Sequence, residues 1–408
     1  MPTNLLPDYF AAQERPRRQD DGGRGRLPAD FQVEEIVRFP RVGGGAYTLY
    51  AVHKVARTTL EVQVALAQAV GCPLSAVHFP ALKDRQAVAL QYASVRGEGP
   101  EEVRGRGWSA RRVGRAGRPL RPSDLRGNRF TVVLRDLAQR DAARLRLLLE
   151  ELAARGLPNY FDRQRFGSYS PSGEWVGKLI LRGQAEAALR AHLGQEMAGD
   201  PRRVRTFKAE VRARWGDWPH LLAAAPQPSN YRSVLVFLRD HPDDFRRALN
   251  LVTPRVLSLY LAAYQSFLWN RMVGRFLSAQ AVPAAVLEIA GEALPLYGQV
   301  PAGALDAWRE VQVPLPHHRA VYIGPWAGLY EQVLAEEGLQ PADLKARLLR
   351  RAYLGAGKRA LLLFPRDISA SEAAPDERFP GRQRMTVRFT LPPGGYGTLV
   401  LRALEALE

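Results

Sequence analysis

The stretch VHFPALKDRQAVALQYASV (77–95) decides how the chain is read. Val77 and Phe79 close an apolar run that Pro80 breaks; Lys83, Asp84 and Arg85 follow in a row, and alternation resumes through Val88, Leu90 and Tyr92. A proline-opened loop between two period-2 runs predicts a strand, a tight connection and a second strand. One carboxylate between two cations, on a loop anchored by sheet at both ends, is ionised and rigidly placed, as a carboxylate nucleophile must be. By itself, however, the triplet reads first as a solvated charged turn, whose ion pairs contribute little. The surrounding chain decides between the two.

Working outward, FQVEEIVRF (31–39) alternates Phe31, Val33, Val37 and Phe39 with polar residues and predicts a half-buried strand. Gly43–Gly45 predict a loop without the Gly-Lys-Ser/Thr ending of a phosphate loop, and YTLYAVHKV (47–55) a second strand. Thr58 with Glu61 predicts a capping box opening a helix that stops at Gly71. Residues 103–121 then carry seven arginines, Trp108 and no acid. A basic run with an aromatic suits a nucleic-acid contact, and a solvated loop fits the same residues equally well.

RFTVVLRD (129–136) predicts a strand, and DAARLRLLLEELAARG (141–156) an amphipathic helix stopped by Gly156. NYFDRQRFG (159–167) gathers aromatic, amide and arginine side chains, which suit base recognition and suit an ordinary core edge no less. From about 180 to 345 helical patterns dominate; the longest, 254–279, starts at Pro254, and its Tyr264, Phe267, Leu268 and Met272 recur at core spacing. The adjacent His317 and His318 have no ligand partners in the sequence, so no metal site is expected. Beyond 360 the strand texture returns, followed by a Pro/Gly turn and a final helix. Sheet at both ends with helices between predicts an α+β fold interrupted by a mostly helical α/β insertion, divided as 1–180, 181–345 and 346–408.

Composition narrows the partner. The 408 residues carry a formal net charge of +17, almost all from arginine, which predicts a polyanion. Cys72 is the only cysteine, so neither an intramolecular disulfide nor a thiolate metal site is expected. The N-terminal residues lack the apolar core of a signal peptide and no run approaches a membrane span, so the expectation is a cytoplasmic protein without membrane attachment.

Seven stretches taken in order resemble the TruD family of tRNA pseudouridine synthases: PADFQVEEI (28–36), ALKDRQAVALQ (81–91), LRGNRFTVVLR (125–135), NYFDRQRFG, AYQSFLWN (263–270), ALLLFP (360–365) and FTLPPGGYGTLVLR (389–402). There are departures. Ala81 replaces the family's usual glycine, Gln86 its histidine and Ala29 its common glutamate; the lysine expected three residues before Pro28 is Gly25, flanked by Arg24 and Arg26.

The resemblance implies a pseudouridine-synthase-like mixed/antiparallel-sheet catalytic domain built from both chain ends, acting without a metal or other cofactor on uridine at position 13 of tRNA. It implies Asp84 as the catalytic carboxylate, and Phe31, Asn159 and Tyr396 as the residues that hold the flipped base. Lys83, Arg85, Gln91, Arg26, Phe161 and Arg163 become supporting candidates, and a monomer is expected. A non-catalytic RNA-binding or RNA-chaperone protein that retains the fold is the rival reading. A metal-dependent nuclease is a third, disfavoured because no Asp, Glu and His stand at ligand spacing.

Overall fold

A computed structural model describes residues 27–40, 42–83, 87–169, 174–197, 200–227 and 231–407. The chain divides into two compact units, one ending at Gly156 and resuming over Leu363–Ala406, the other spanning Leu157–Leu362.

The first unit begins with β1 (Phe31–Val37), β2 (Val42–Lys54) and helix α1 (Thr59–Val70). Then come β3 (Val77–His78), β4 (Val88–Arg96), β5 (Glu102–Gly105), β6 (Trp108–Ala116), β7 (Leu125–Leu137) and helix α2 (Asp141–Arg155). In the second unit follow α3 (Val176–Leu181), α4 (Ala185–Gly194), α5 (Arg202–Ala213), α6 (Trp218–Ala224), α7 (Arg232–Asp240), α8 (Phe245–Leu249) and the long α9 (Pro254–Gln280). The same unit continues with the hairpin β8 (Pro283–Ile289) and β9 (Glu292–Tyr297), α10 (Ala304–Arg309), β10 (Gln312–Pro314), α11 (Pro325–Glu336) and β11 (Lys358–Ala360). The chain then returns to the first unit as β12 (Arg366–Ala370), β13 (Ala374–Pro375), β14 (Gln383–Leu391) and α12 (Gly397–Leu407).

The first unit is built on one ten-stranded sheet in the order β12-β14-β7-β1-β4-β2-β6-β5, with β13 on β14 and β3 on β4. All its pairings are antiparallel except β1 with β4, where Gln32, Val33 and Glu34 lie opposite Val88, Ala89 and Leu90. The fold is α+β with a mixed sheet. Thr58 caps α1 with a full capping box to Glu61, and Gly71 ends it at φ 75°. The helix buries Val62, Leu66 and Ala67 against Tyr50, Val52, Ala93 and Ala110 of the sheet.

Four local expectations change. β3 is only two residues long and pairs with the far end of β4 (Val77 with Val95, His78 with Ser94), so the connection runs over 79–87 and is no tight turn. On β4 the more buried face is that of Ala89, Gln91 and Ala93, because α1 and the incoming loop cover it. Gly43–Gly45 lie within β2, where Val42 and Tyr47 both stand opposite Ala116 in a bulge. A Cβ on Gly45 would come within 2.3 Å of the Ala116 backbone, so the strand keeps glycine there. The arginine run forms the β5–β6 hairpin up to Ala116, with Arg118 and Arg121 in the connection beyond it, and Trp108 is a core residue at the hairpin turn, unavailable for stacking. Its acids come from just outside the run: Arg112 pairs with Glu101 at 3.0 Å, Arg118 with Asp124 at 2.7 Å.

In the second unit α9 is buried on every side, Tyr264, Phe267, Leu268 and Met272 included, as befits a central core helix. Among the described residues no helix is long and apolar enough to cross a membrane.

Candidate active site

The segment that leads into Asp84 is tied down from three sides. Where β1 splays away from β4, Glu35 turns a fully buried carboxylate into the gap. Its Oε2 accepts from the Tyr92 amide at 3.0 Å, and its Oε1 pairs with Lys83 Nζ at 3.0 Å and accepts from Gln91 Nε2 at 3.3 Å. Gln91 also donates to the Ala81 carbonyl at 3.1 Å, while its Oε1 accepts from the Thr59 hydroxyl at 2.9 Å. Thr59 in turn accepts from the Lys83 amide at 2.8 Å. Glu35, Gln91 and Thr59 are each at most 1% exposed, so these bonds form away from competing water and the charges are paired as burial requires. Lys83 is thereby committed to Glu35 at the base of the loop. Asp84, Arg85 and Gln86 lie outside the described residues, as does Arg26.

An aromatic stack stands on the same sheet. Phe31 meets Phe130 at 5.9 Å between centroids, and Phe130 stacks on Phe389 at 5.4 Å, across β1, β7 and β14. Tyr396 is half-buried just before α12, and Gly397, the first residue of that helix, lies so close that a Cβ there would stand 2.6 Å from the Phe130 ring. Phe130 therefore touches both Phe31 and the residue next to Tyr396. Phe31 is fixed from behind, because the carboxylate of the preceding Asp30 takes two hydrogen bonds from Arg135 at 2.9 and 3.0 Å. Those bonds to Asp30 raise the Arg135 pKa further, against the cost of burial.

In the second unit Asn159 is 6% exposed and held at both ends of its amide. Its Nδ2 donates to the Ala360 carbonyl at 3.1 Å; its Oδ1 accepts from Arg359 at 2.7 Å, and Arg359 also donates to the Asn159 carbonyl at 2.6 Å. One amide proton remains for another acceptor. The guanidinium of Arg359 lies 4.1 Å above the centre of the Phe161 ring, and Trp269 meets the same ring edge-on. Phe161 is 8% exposed, and its backbone exchanges two hydrogen bonds with Asn270 at 2.9 and 2.8 Å. Arg163 reaches the Glu288 carbonyl at 3.3 Å.

Within the first unit the fold thus sets Phe31 in an aromatic stack, with Tyr396 next to the glycine that meets that stack, and gathers Lys83 and Gln91 about Glu35. Within the second it gathers Asn159 and Phe161 about Arg359, with Arg163 turned toward the β8 strand. Glu35, Thr59 and Arg359 were not singled out from the sequence. Glu35 had a visible signal: it continues the period-2 register of Phe31 and Val33, an acid where an apolar residue is due. Arg359 had only its place before ALLLFP. Chemically, the first cluster offers π-faces beside a loop braced at Lys83, and the second a fixed amide able to read the polar edge of a base.

The chain matches the family model described as tRNA pseudouridine synthase D (TruD) over residues 19–288. It is similar to the "tRNA pseudouridine synthase D" of Geobacter sulfurreducens, 32% identical with 92% of this chain and 91% of the relative covered. It is also similar to the "Probable tRNA pseudouridine synthase D" of Methanopyrus kandleri, 30% identical over 98% and 93%. The crystal structure of the putative tRNA pseudouridine synthase D from Methanosarcina mazei shares the fold, with a TM-score of 0.67 at 22% identity, covering 93% of this chain and 91% of that one. The chain therefore belongs to the tRNA pseudouridine synthase D (TruD) family.

Proposed function

We propose that this chain converts uridine to pseudouridine at position 13 of tRNA, with Asp84 as the catalytic carboxylate. The overall reaction is an isomerisation: the C1′–N1 bond breaks, the uracil turns, a C1′–C5 bond forms, C5 gives up a proton and N1 takes one. Membership of the family supports the reaction class. The observation that carries the residue assignment is the Glu35–Lys83–Gln91–Thr59 lattice, which braces the chain up to the residue before Asp84 through three buried side chains and the largely enclosed Lys83. Such bracing fits a group that must meet a flipped ribose in one orientation. In this reading Phe31 and Tyr396 supply π-faces for the base and Asn159 its free amide proton, while Arg359 positions Asn159 and covers Phe161. Gln91 and Lys83 act on Asp84 through the backbone.

The test is carbodiimide mapping of an unmodified tRNA transcript after incubation with the wild type and with Asp84→Asn. The expected result is a pseudouridine stop at position 13 with the wild type alone, and tRNA affinity within several-fold in the variant, since the loss lies in the reacting state. Equal background signal from both proteins would leave RNA binding without catalysis.

A further inference from the structure

The AYQSFLWN stretch (263–270) supports two features of the second unit at once. Asn270 holds the Phe161 backbone. One turn earlier, Gln265, only 4% exposed, donates from Nε2 to the carbonyls of Pro316 and Gly355, each at 2.8 Å. Gly355 lines a groove of about 660 Å³ between residues 314–321 and 344–358, and Pro316 lies between Leu315 and His317, which line it too. Trp269 adds a bond to the Val313 carbonyl, and the Leu315 amide one to Gly357. The groove is therefore tied to the same helix that holds the Phe161 backbone.

Its lining is cationic and partly apolar. Arg319, Lys345 and Lys358 face it, and none of the residues lining it is acidic. Among the chain's six lysines, Lys54, Lys83, Lys178 and Lys208 are drawn inward to Arg57, Glu35, Glu337 and Asp200. The two exposed ones, Lys345 and Lys358, both line the groove. Tyr353, which lines it, is 76% exposed, and Val321, which also lines it, 79%. Gly355–Gly357 line it as well, and a Cβ on Gly355 would meet nothing within 4 Å, so packing does not require a glycine there. Lys358 also precedes Arg359 on β11, so the groove adjoins the clamp on Asn159.

We propose that this groove binds an unpaired nucleotide of the tRNA substrate, distinct from the target uridine, stacking its base on Tyr353 and pairing its phosphates with Lys345 and Lys358. Charge complementarity with a polyanion and an exposed ring beside paired cations are the features that single-strand sites combine. The inference rests on the proposed tRNA substrate, and its test is separable from that reading. Binding of an unmodified full-length tRNA transcript is measured for the wild type, Tyr353→Ala, Lys345→Ala with Lys358→Ala, and Gly355→Leu, whose side chain would occupy the groove. The dissociation constant is expected to rise about tenfold for each variant, and the lysine pair to reduce the slope of log affinity against log salt by about 1 to 1.5. Ultraviolet irradiation of the wild-type complex is expected to crosslink RNA to the peptide containing Tyr353. Unchanged binding in all three variants, with no crosslink there, overturns the proposal. Absence of pseudouridine with the wild type overturns the tRNA-modification reading instead and is read in a different assay.

Discussion

Glu35 and Lys83 form the pair on which the position of the 81–83 segment depends. Replacing one partner of a buried pair leaves the other uncompensated, at a cost of about 3–5 kcal/mol for a fully enclosed charge and less here, where Lys83 is 11% exposed. Glu35→Gln keeps the shape and can still accept from the Tyr92 amide, but its amide nitrogen then faces the donors of Lys83 and Gln91, so it removes both the charge and their acceptor. Its turnover rate is expected to fall at least tenfold with tRNA affinity within threefold, measured by single-turnover kinetics beside equilibrium binding. Adding Lys83→Met should cost little more, because the two act as one unit; fully additive losses would mean that they act separately. Arg359 allows a similar separation. Arg359→Lys keeps the charge and loses the fork on Asn159. The expected outcome is about a tenfold drop in kcat/KM with an unchanged salt dependence of binding, whereas a phosphate-binding role for Arg359 would flatten that dependence.

At the scale of single elements, what was legible in the sequence was what is decided locally. The helix between Thr58 and Gly71 follows from a cap, a capping-box glutamate and a left-handed glycine, all within its own span. The triple glycine was misread because its conformation is set by Ala116, a residue of another strand. The loop expected over the arginine run gives way to strands because the run pairs with itself and with β2, another long-range register. The role of Glu35 needs Lys83, which the alternation of β1 cannot reveal, and that of Arg359 needs Asn159 from the far end of the second unit. Gly397 is another such case: its lack of a side chain lets α12 close on Phe130. With a Cβ 2.6 Å from that ring, Gly397→Ala must push Phe130 against Phe31 and Phe389. A loss of about 1–3 kcal/mol is expected from overpacking, read as a lower melting temperature, together with a slower pseudouridine signal as Phe31 and Tyr396 shift.

Over the whole molecule the formal charge of +17 grows as pH falls, and self-repulsion grows with it. The second unit adds a specific acid sensitivity. His192 on α4 is 6% exposed; its Nδ1 lies 2.8 Å from the Tyr260 hydroxyl, and its buried Nε2 has no hydrogen-bond partner among the described residues. The Tyr231 ring packs at 5.8 Å, and the buried Lys208, paired with Asp200, adds a nearby positive charge. Burial, reinforced by Lys208, brings the His192 pKa down to about 4 from its ordinary 6.5. The unfolded chain therefore binds a proton in the window between these values that the folded chain does not, and stability falls as pH drops through it. The contribution is fully present above pH 6.5 and amounts to roughly 3 kcal/mol, lost by pH 4. His192→Gln keeps a neutral hydrogen-bonding side chain and cannot titrate. Melting temperatures taken from pH 7 to pH 4 should fall less steeply for the variant than for the wild type, with the gap between the two curves opening below pH 6.5. Parallel curves would mean that His192 is protonated as readily in the folded unit as outside it.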